Sequence, residues 1–532
     1  LRVRWILVPT YLLVAAAGIY FVGRQLGTGI FPCSDSPDVR IRLRAPAGTD
    51  LDGTERVALR VLDVIKATVG ETNVQSSLGL LGVHGASYPI NLLHIWNGGT
   101  EEGVLQVKLS QRASLRGEAL HEQLRREFAA KLPEVEFFCE PADIVSRVMS
   151  LNIAAPVEVT VGGLNLAANR AHAEKVQARL AQLTSLRDVQ FAQSLDYPTV
   201  EVTVNRERAG IIGASMADVS RALVPATSSS RFTVPNFWAD PNSGVAYQVQ
   251  VQIQQELTSS TEELENLPVL ERDGEPVLLR NLARITTGTA MSQHDRYNME
   301  RLIAVRANVA GADLGGAIRD VRQVLADLGP APAGVNVTLR GQAGPLREMQ
   351  SGLQRGLLLA IAATFLLLTA HFQSVKLAAI VVSTVPAVLV GVVLALAGTG
   401  TTLNLQSFMG AIMAVGVAVA NAILLVTFAE RERMAGAIAL DAALRGANSR
   451  LRAILMTSCA MLAGMLPTAL GFGESAGQTA PLGRAVVGGL VAATVATLFI
   501  VPAVFALVQS RAHRRSASLE VSAAILTGEQ TT

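Results

Sequence analysis

The sequence predicts a membrane α-helical bundle of six spans, with an α+β outer domain of ferredoxin-like β-α-β modules inserted after the first span. Three observations predict it. Half of the 532 residues are apolar (50%) and only 17% are charged, where a soluble protein carries roughly a quarter. The apolar excess sits in one stretch near the start and in five stretches after residue 355. Between them runs a strand-helix rhythm of ordinary globular composition.

Crossing a bilayer takes roughly twenty apolar residues. The candidate spans are 5–23, 356–370, 377–397, 405–429, 453–473 and 485–508. None of them holds an Asp, Glu, Lys, Arg or His, and such runs in succession argue against buried helices of a soluble protein. The second stretch is short, so its helix should begin outside the membrane near Leu346. Basic residues in short loops set the orientation. Arg2, Arg4, His371, Lys376, Arg431, Arg433, Arg445, Arg450, Arg452, Arg511, Arg514 and Arg515 all fall on one side, the cytoplasm. The opposite loops, 398–404 and 474–483, carry no Lys or Arg, and Arg484 at the edge is the exception. The segment 24–350 is therefore expected on the outer side. The first span, domain 1–24, lacks a small-residue cleavage site and reads as an uncleaved anchor. Because the first residue is Leu, the expectation is a sequence that begins inside a longer protein.

The outer segment divides by rhythm. In 25–155, strands are expected at 38–46, 74–82, 103–110 and 135–140, with helices at 51–69 and 116–132. The pattern returns in 156–198 and 282–345, with strands at 156–162, 189–192, 302–309 and 335–340 and helices at 167–183 and 314–328. Between these halves, 199–281 is rich in strands and turns and reads as an insertion. Each pair of β-α-β units suits a ferredoxin-like sandwich. In that topology the last strand lies beside the first, which places Cys33 and Cys139 at one end of the sheet. A Cα separation above about 7 Å excludes a bridge between them. The five remaining spans occupy 346–510, and 511–532 is a cytoplasmic tail.

Chemistry-bearing groups are few. The net charge of +2 gives no footprint for nucleic acid. His84, His94 and His121 have no metal-site spacing, the loop serines have no partner base, and Glu430 to Glu432 reads as a solvated helix end. No metal ligand, cofactor or enzymatic constellation is assigned. On the fourth span Gly410, Ala414, Ala418 and Ala422 recur every four residues, a spacing that lets helices approach closely. The same helix carries Asn421 near mid-membrane, an amide that needs a partner there.

Gly416-Val417-Ala418-Val419-Ala420-Asn421, Arg450-Leu451-Arg452-Ala453-Ile454-Leu455-Met456-Thr457-Ser458, Gly464-Met465-Leu466-Pro467 and Phe499-Ile500-Val501-Pro502 resemble the tenth to twelfth spans of resistance-nodulation-division (RND) efflux permeases. Leu195-Asp196-Tyr197-Pro198, Asn205-Arg206-Glu207-Arg208, Asp295-Arg296-Tyr297-Asn298 and Phe372-Gln373-Ser374 are similar to the same family. The resemblance implies the C-terminal half of a permease of the hydrophobe/amphiphile type (AcrB/MexB-like), a secondary transporter rather than an enzyme. It implies two porter subdomains, 25–155 and 156–198 with 282–345, and a docking subdomain at 199–281. It further implies a homotrimer in the inner membrane with its large domain in the periplasm. The implied partners are the N-terminal half of the permease, a periplasmic adaptor, an outer-membrane channel and small hydrophobic substrates.

By resemblance, Asn421, Thr457 and Arg450 stand where the family's proton relay sits. The drug pumps carry a Lys just before that Asn, and here the position is Ala420. The family's membrane aspartates belong to the other half, so Asn421 and Thr457 are expected as neutral partners of carboxylates supplied from there. The substrate cleft is expected between the porter modules, with Tyr88, Leu93 and Trp96 of an apolar loop as its candidates. Heavy-metal export is the alternative. It uses soft methionine ligands, and Met149, Met216, Met291 and Met299 are scattered here. A protein-export accessory factor, or a membrane subunit that transports nothing, is the remaining reading.

Overall fold

The computed structural model describes residues 4–32, 38–83, 97–110, 115–142, 153, 155–230, 236–254, 260–472 and 476–511. Cys33, Tyr88, Leu93, Trp96 and Met149 lie outside the described residues. The chain separates into two compact units. One comprises Leu1–Pro46, Asp50–Ala192 and Asp295–Thr532; the other comprises Ala47–Thr49 and Gln193–His294.

In the first unit, helix α1 (Arg4–Gln25) is the anchor. Strand β1 (Asp38–Arg44) follows, then α2 (Leu51–Val69). Asp50 caps α2 by accepting from the Gly53 amide, and Val57, Val61, Val64 and Ile65 bury one face at helical spacing. Gly70, at φ 87°, ends the helix, a conformation that suits glycine. Then come β2 (Val74–Leu81), β3 (Glu102–Leu109), α3 (Gly117–Lys131) and β4 (Glu136–Glu140). The sheet order is β2-β3-β1-β4, all antiparallel. Ile41, Leu43, Val61, Ile65, Leu124 and Phe128 form the core under α2 and α3.

The second sheet begins with β5 (Val157–Gly163), α4 (Leu166–Leu180) and β6 (Leu186–Phe191). It is completed after the second unit, which therefore interrupts it. That unit holds β7 (Tyr197–Val204), α5 (Arg206–Ile212), α6 (Met216–Thr227) and the hairpin β8 (Asn236–Ala239) with β9 (Ala246–Val249). Helix α7 (Thr261–Glu265), β10 (Pro268–Arg272), β11 (Glu275–Leu278), α8 (Leu279–Leu282) and β12 (Ala283–Ala290) follow. Strands β7 and β12 pair along their whole lengths. Val219, Leu267, Leu279 and Leu282 centre this unit's core. The hairpin exposes Phe237, Trp238 and Tyr247.

Returning to the first unit, β13 (Asp295–Tyr297), β14 (Glu300–Val309), α9 (Leu314–Asp327) and β15 (Val335–Gly341) complete the sheet in the order β13-β14-β5-β15, with β6 on β14.

The membrane helices are α10 (Ala343–Phe372), α11 (Val375–Val382), α12 (Val385–Gly398), α13 (Leu405–Met434), α14 (Ala439–Leu470), α15 (Ala476–Val495) and α16 (Val501–Val508). With α1 they make six stretches long and apolar enough to cross a membrane. The helix of the second span runs unbroken out of β15, starting at Ala343, and α14 begins fourteen residues before the apolar stretch that announces it. The third span breaks between α11 and α12 because Pro386 has no amide to donate. Tyr11 of α1 repairs the break: its hydroxyl donates to the Ser383 carbonyl at 2.8 Å and accepts from the Ala387 amide at 3.0 Å.

Helix α15 is packed on three sides through glycine. Gly391 of α12 lies against the Gly488 carbonyl, Gly410 of α13 against the Leu482 carbonyl, Gly483 against Ala469 of α14, and Gly489 against Ala414. The small-residue stripe on α13 faces this contact. Gly488→Val should therefore separate α15 from α12 and lower the melting temperature of the detergent-solubilised chain, since overpacking costs about 1–3 kcal/mol or more. Gly416→Ala, where an added methyl meets nothing within 4 Å, should leave it unchanged or slightly raised.

Candidate functional site

Asn421 is buried on α13, as an amide in an apolar bundle must be if it is to find a partner. The Thr457 hydroxyl of α14 donates to the Ile454 carbonyl at 3.0 Å and reaches Asn421 Oδ1 at 3.5 Å, the outer limit of a hydrogen bond. Those two groups are brought together. Arg450 is not brought to them. It lies seven residues before Thr457 on the same helix, about 10 Å along the axis. Its guanidinium sits 3.6 Å from the Phe428 ring centroid, and its buried Nε has no acceptor. Ala420 faces outward on α13, on a strip shared with Met409, Met413 and Leu424. Side chains at position 420 therefore point away from this chain's own bundle.

One sequence expectation is overturned here. Glu430 is a buried carboxylate, not a solvated helix end. Helix α13 continues to Met434, so Glu430 and Arg433 stand one turn apart on its packed face, 3% and 4% exposed. Arg433 donates to both Glu430 oxygens, at 2.9 and 2.7 Å, and Gln509 Nε2 adds a third bond at 3.2 Å. The alternation of Glu and Arg suggested a surface; the close approach of Gly446 on Ala429 buries it.

In the strand-helix domain, β1 presents Arg40, Arg42 and Arg44 on the face away from α2 and α3. Arg40 and Arg42 donate to Glu140 at 2.7 and 3.0 Å, and Arg44 donates to Glu102 at 2.8 Å. Arg44 continues to the Ala192 carbonyl at 2.9 Å, and Gln190 donates to the Phe137 carbonyl at 3.3 Å. The edges β4 and β6 thus meet through side chains. Asp188, in the left-handed region at φ 52°, holds the corner. It accepts from Arg125 Nε and Nη2, both at 2.9 Å, and from Asn308 Nδ2 at 2.8 Å. A cavity of about 210 Å³ opens beside it, lined among others by Glu118, His121, Arg125, Cys139 and Asn308. Burial, with Arg125 nearby, drops His121 to about 4, so the imidazole is neutral at physiological pH. Burial pushes the Cys139 thiol up to about 12.

Glu101 is the residue the sequence did not flag. It is fully buried, and neither carboxylate oxygen has a donor. Gly99 permits this, because a Cβ there would collide with the carboxylate. Asn97, four residues earlier, donates to the Leu80 and Gly82 carbonyls and leaves its own buried Oδ1 without a donor. Burial raises the Glu101 carboxyl above its usual range, with the Glu101 amide opposing, the Glu102 charge adding and Arg44 opposing. Asn97 and Glu101 thus leave buried side-chain oxygens without a hydrogen-bond donor, and burial favours the protonated Glu101 carboxyl. Glycines ahead of paired acids were the available signal. Among the described residues no three His, Cys, Asp or Glu cluster at metal-binding distance.

Six apolar helices long enough to cross a membrane, with a strand-helix domain between the first and second, describe a multi-pass membrane protein. The chain belongs to the AcrB/AcrD/AcrF family, which it matches over residues 1–509. Members of this family are transporters rather than enzymes, and they reside in the inner membrane. It is 26% identical over 524 residues to the cobalt-zinc-cadmium resistance protein CzcA of Cupriavidus metallidurans, covering 96% of this chain and 48% of that protein. It is 27% identical over 512 residues to the toluene efflux pump membrane transporter TtgB of Pseudomonas putida, covering 94% and 46%. Its fold matches a crystal structure of a heavy metal efflux pump at a TM-score of 0.81 and 23% identity, over 95% of this chain and 50% of that one. The chain spans about half the length of the curated relatives it matches. The assignment to the hydrophobe/amphiphile branch is corrected by these matches, in which metal-resistance transporters stand beside solvent pumps. The family match runs through the chain and does not assign it to one half.

Glu140 gives this site a pH dependence. Burial alone would raise its carboxyl, but Arg42 and Arg40 outweigh burial and hold it below the usual range. A depressed folded value stabilises above the unfolded value, about 4.3, and that contribution is lost as pH falls through the folded value. Glu140→Gln should cost about 3–5 kcal/mol at pH 7 by taking from Arg40 and Arg42 the buried carboxylate they share. The deficit against wild type, read from hydrogen exchange of the β1 and β4 amides, should narrow below about pH 4.

Proposed function

We propose that this chain is part of an RND permease that exports heavy-metal cations across the cell envelope, driven by proton influx. The buried Glu101 carboxylate, which has no donor, supports a cationic cargo, and the choice of heavy metals rests on the relatives. The names of CzcA and of the nickel-cobalt-cadmium resistance protein NccA of Alcaligenes xylosoxydans xylosoxydans support the same class. A second reading, export of hydrophobic or amphiphilic compounds, is supported by TtgB and by the antibiotic efflux pump membrane transporter ArpB of Pseudomonas putida.

Half-length coverage and the quoted span motifs support reading the chain as the C-terminal six-span repeat. A second repeat would cover the outward strip of α13 and bring carboxylates to Asn421, Thr457 and the unpartnered Arg450 Nε. The proton would then reside on those carboxylates, with Asn421 serving either protonation state through its amide. The described outer modules are read as ferredoxin-like porter subdomains on the order β2-β3-β1-β4. The unit around β7 to β12 is read as the docking subdomain, periplasmic, with Phe237, Trp238 and Tyr247 of its hairpin offered to a neighbouring protomer of a homotrimer or to the adaptor and channel.

Two measurements test this. Calorimetric titration of the purified chain with Zn²⁺ or Co²⁺ should show binding that weakens on acidification and is lost in Glu101→Gln. Binding of a hydrophobic dye instead, with no metal uptake, would favour the second reading. In vesicles containing the complete pump, Asn421→Ala and Thr457→Ala should each cut proton-driven transport at least tenfold while leaving assembly intact. Normal transport by both would reduce them to packing groups.

A further inference from the structure

The sixth span is not a uniform helix. Between α15 and α16, residues Ala496–Ile500 form a single π-helical turn. Pro502 follows directly, in the first turn of α16. The Val501 amide accordingly bonds the Ala496 carbonyl, five residues back, instead of the Thr497 carbonyl four residues back. In a π register the Thr497 carbonyl would next be met by the amide of residue 502, but proline has none. Thr497 therefore loses both of its ordinary backbone donors. Its hydroxyl is in the same condition: the residue is fully buried and Oγ1 has no partner. One residue thus leaves a side-chain hydroxyl and a backbone carbonyl unmet inside an apolar bundle, where each such group is costly.

A ligand that answers both must donate to the carbonyl and accept from the hydroxyl. Water does so, and a buried water characteristically binds otherwise unmet polar groups in this way. A bare metal ion cannot accept the hydroxyl proton. The surroundings are also polar by the standard of this bundle. One turn earlier, the single proton of the Thr494 hydroxyl is shared between Ser458 Oγ of α14 at 2.9 Å and the Leu490 carbonyl at 2.8 Å. Ser458 is buried and adjoins Thr457, the residue that reaches Asn421.

We propose that Thr497 and the π turn hold one internal water molecule in the sixth span. It would stand one turn along the sixth span from the Ser458–Thr494 pair. π turns recur where helices serve function. The site needs no assumption about cargo or coupling.

The test exploits a sign. Thr497→Val replaces the hydroxyl with a methyl of nearly equal size. If the hydroxyl is truly unmet, its removal raises the melting temperature of the chain in lipid nanodiscs. If it holds a water, removal strands that water and the carbonyl and lowers it. The expected result is a clear fall in Thr497→Val, with Thr497→Ser, which keeps the hydroxyl, melting above Thr497→Val. A rise, or no change, in Thr497→Val overturns the proposal. The second arm is Pro502→Ala, which restores an amide to the turn. In that background the fall caused by Thr497→Val should shrink by at least half. Strictly additive shifts would separate Thr497 from the turn and overturn the shared water.

Discussion

Helix α15 is where the membrane bundle is decided. Its backbone is approached from α12, α13 and α14 at positions where a β-carbon on Gly391, Gly410, Gly483, Gly488 or Gly489 would collide with a neighbour. In a bilayer, apolar side chains gain little by leaving lipid for one another, so close backbone packing supplies much of the association. The buried strip of α13 and the mid-bundle position of Asn421 follow from that contact. So does the uncovered opposite strip of α13, because a helix pressed to α15 on one side presents its other side outward.

The second organising fact is the repair of broken backbone. Pro386 interrupts the third span, and Tyr11 reaches from α1 to serve both freed groups. Pro502 interrupts the sixth, and no described side chain plays the same part for Thr497. The anchor helix is therefore joined to the bundle by a specific polar contact as well as by apolar packing. The linker after it is tied down too, through the Leu403 amide on the Gly27 carbonyl and the Thr28 amide on Asp313.

Much of this architecture is legible in the sequence, because apolar length and strand alternation are local signals. All six membrane stretches and both strand-helix rhythms follow from them. The quoted span motifs point to the right family, yet identity near a quarter does not separate its metal and solvent branches. What failed locally failed for physical reasons. Glu430 reads as solvated because its neighbours are charged, and only Gly446 of the next helix shows that it is enclosed. Glu101 is invisible because burial comes from a folded-back loop rather than from pattern. Arg450 sits in a motif with Thr457, but two turns of helix keep them apart.

The meeting of β4 and β6 has a consequence of its own. Every described bond across that seam is made by a polar side chain, and the apolar core under α2 and α3 stops short of it. Salt reaches those bonds unequally. Asp188 and Asn308 are close to buried and hold their partners in any medium, whereas the Arg187–Glu122 pair at the rim is about a third exposed on each side and is screened. Brine would loosen the rim of the seam and leave its buried corner closed.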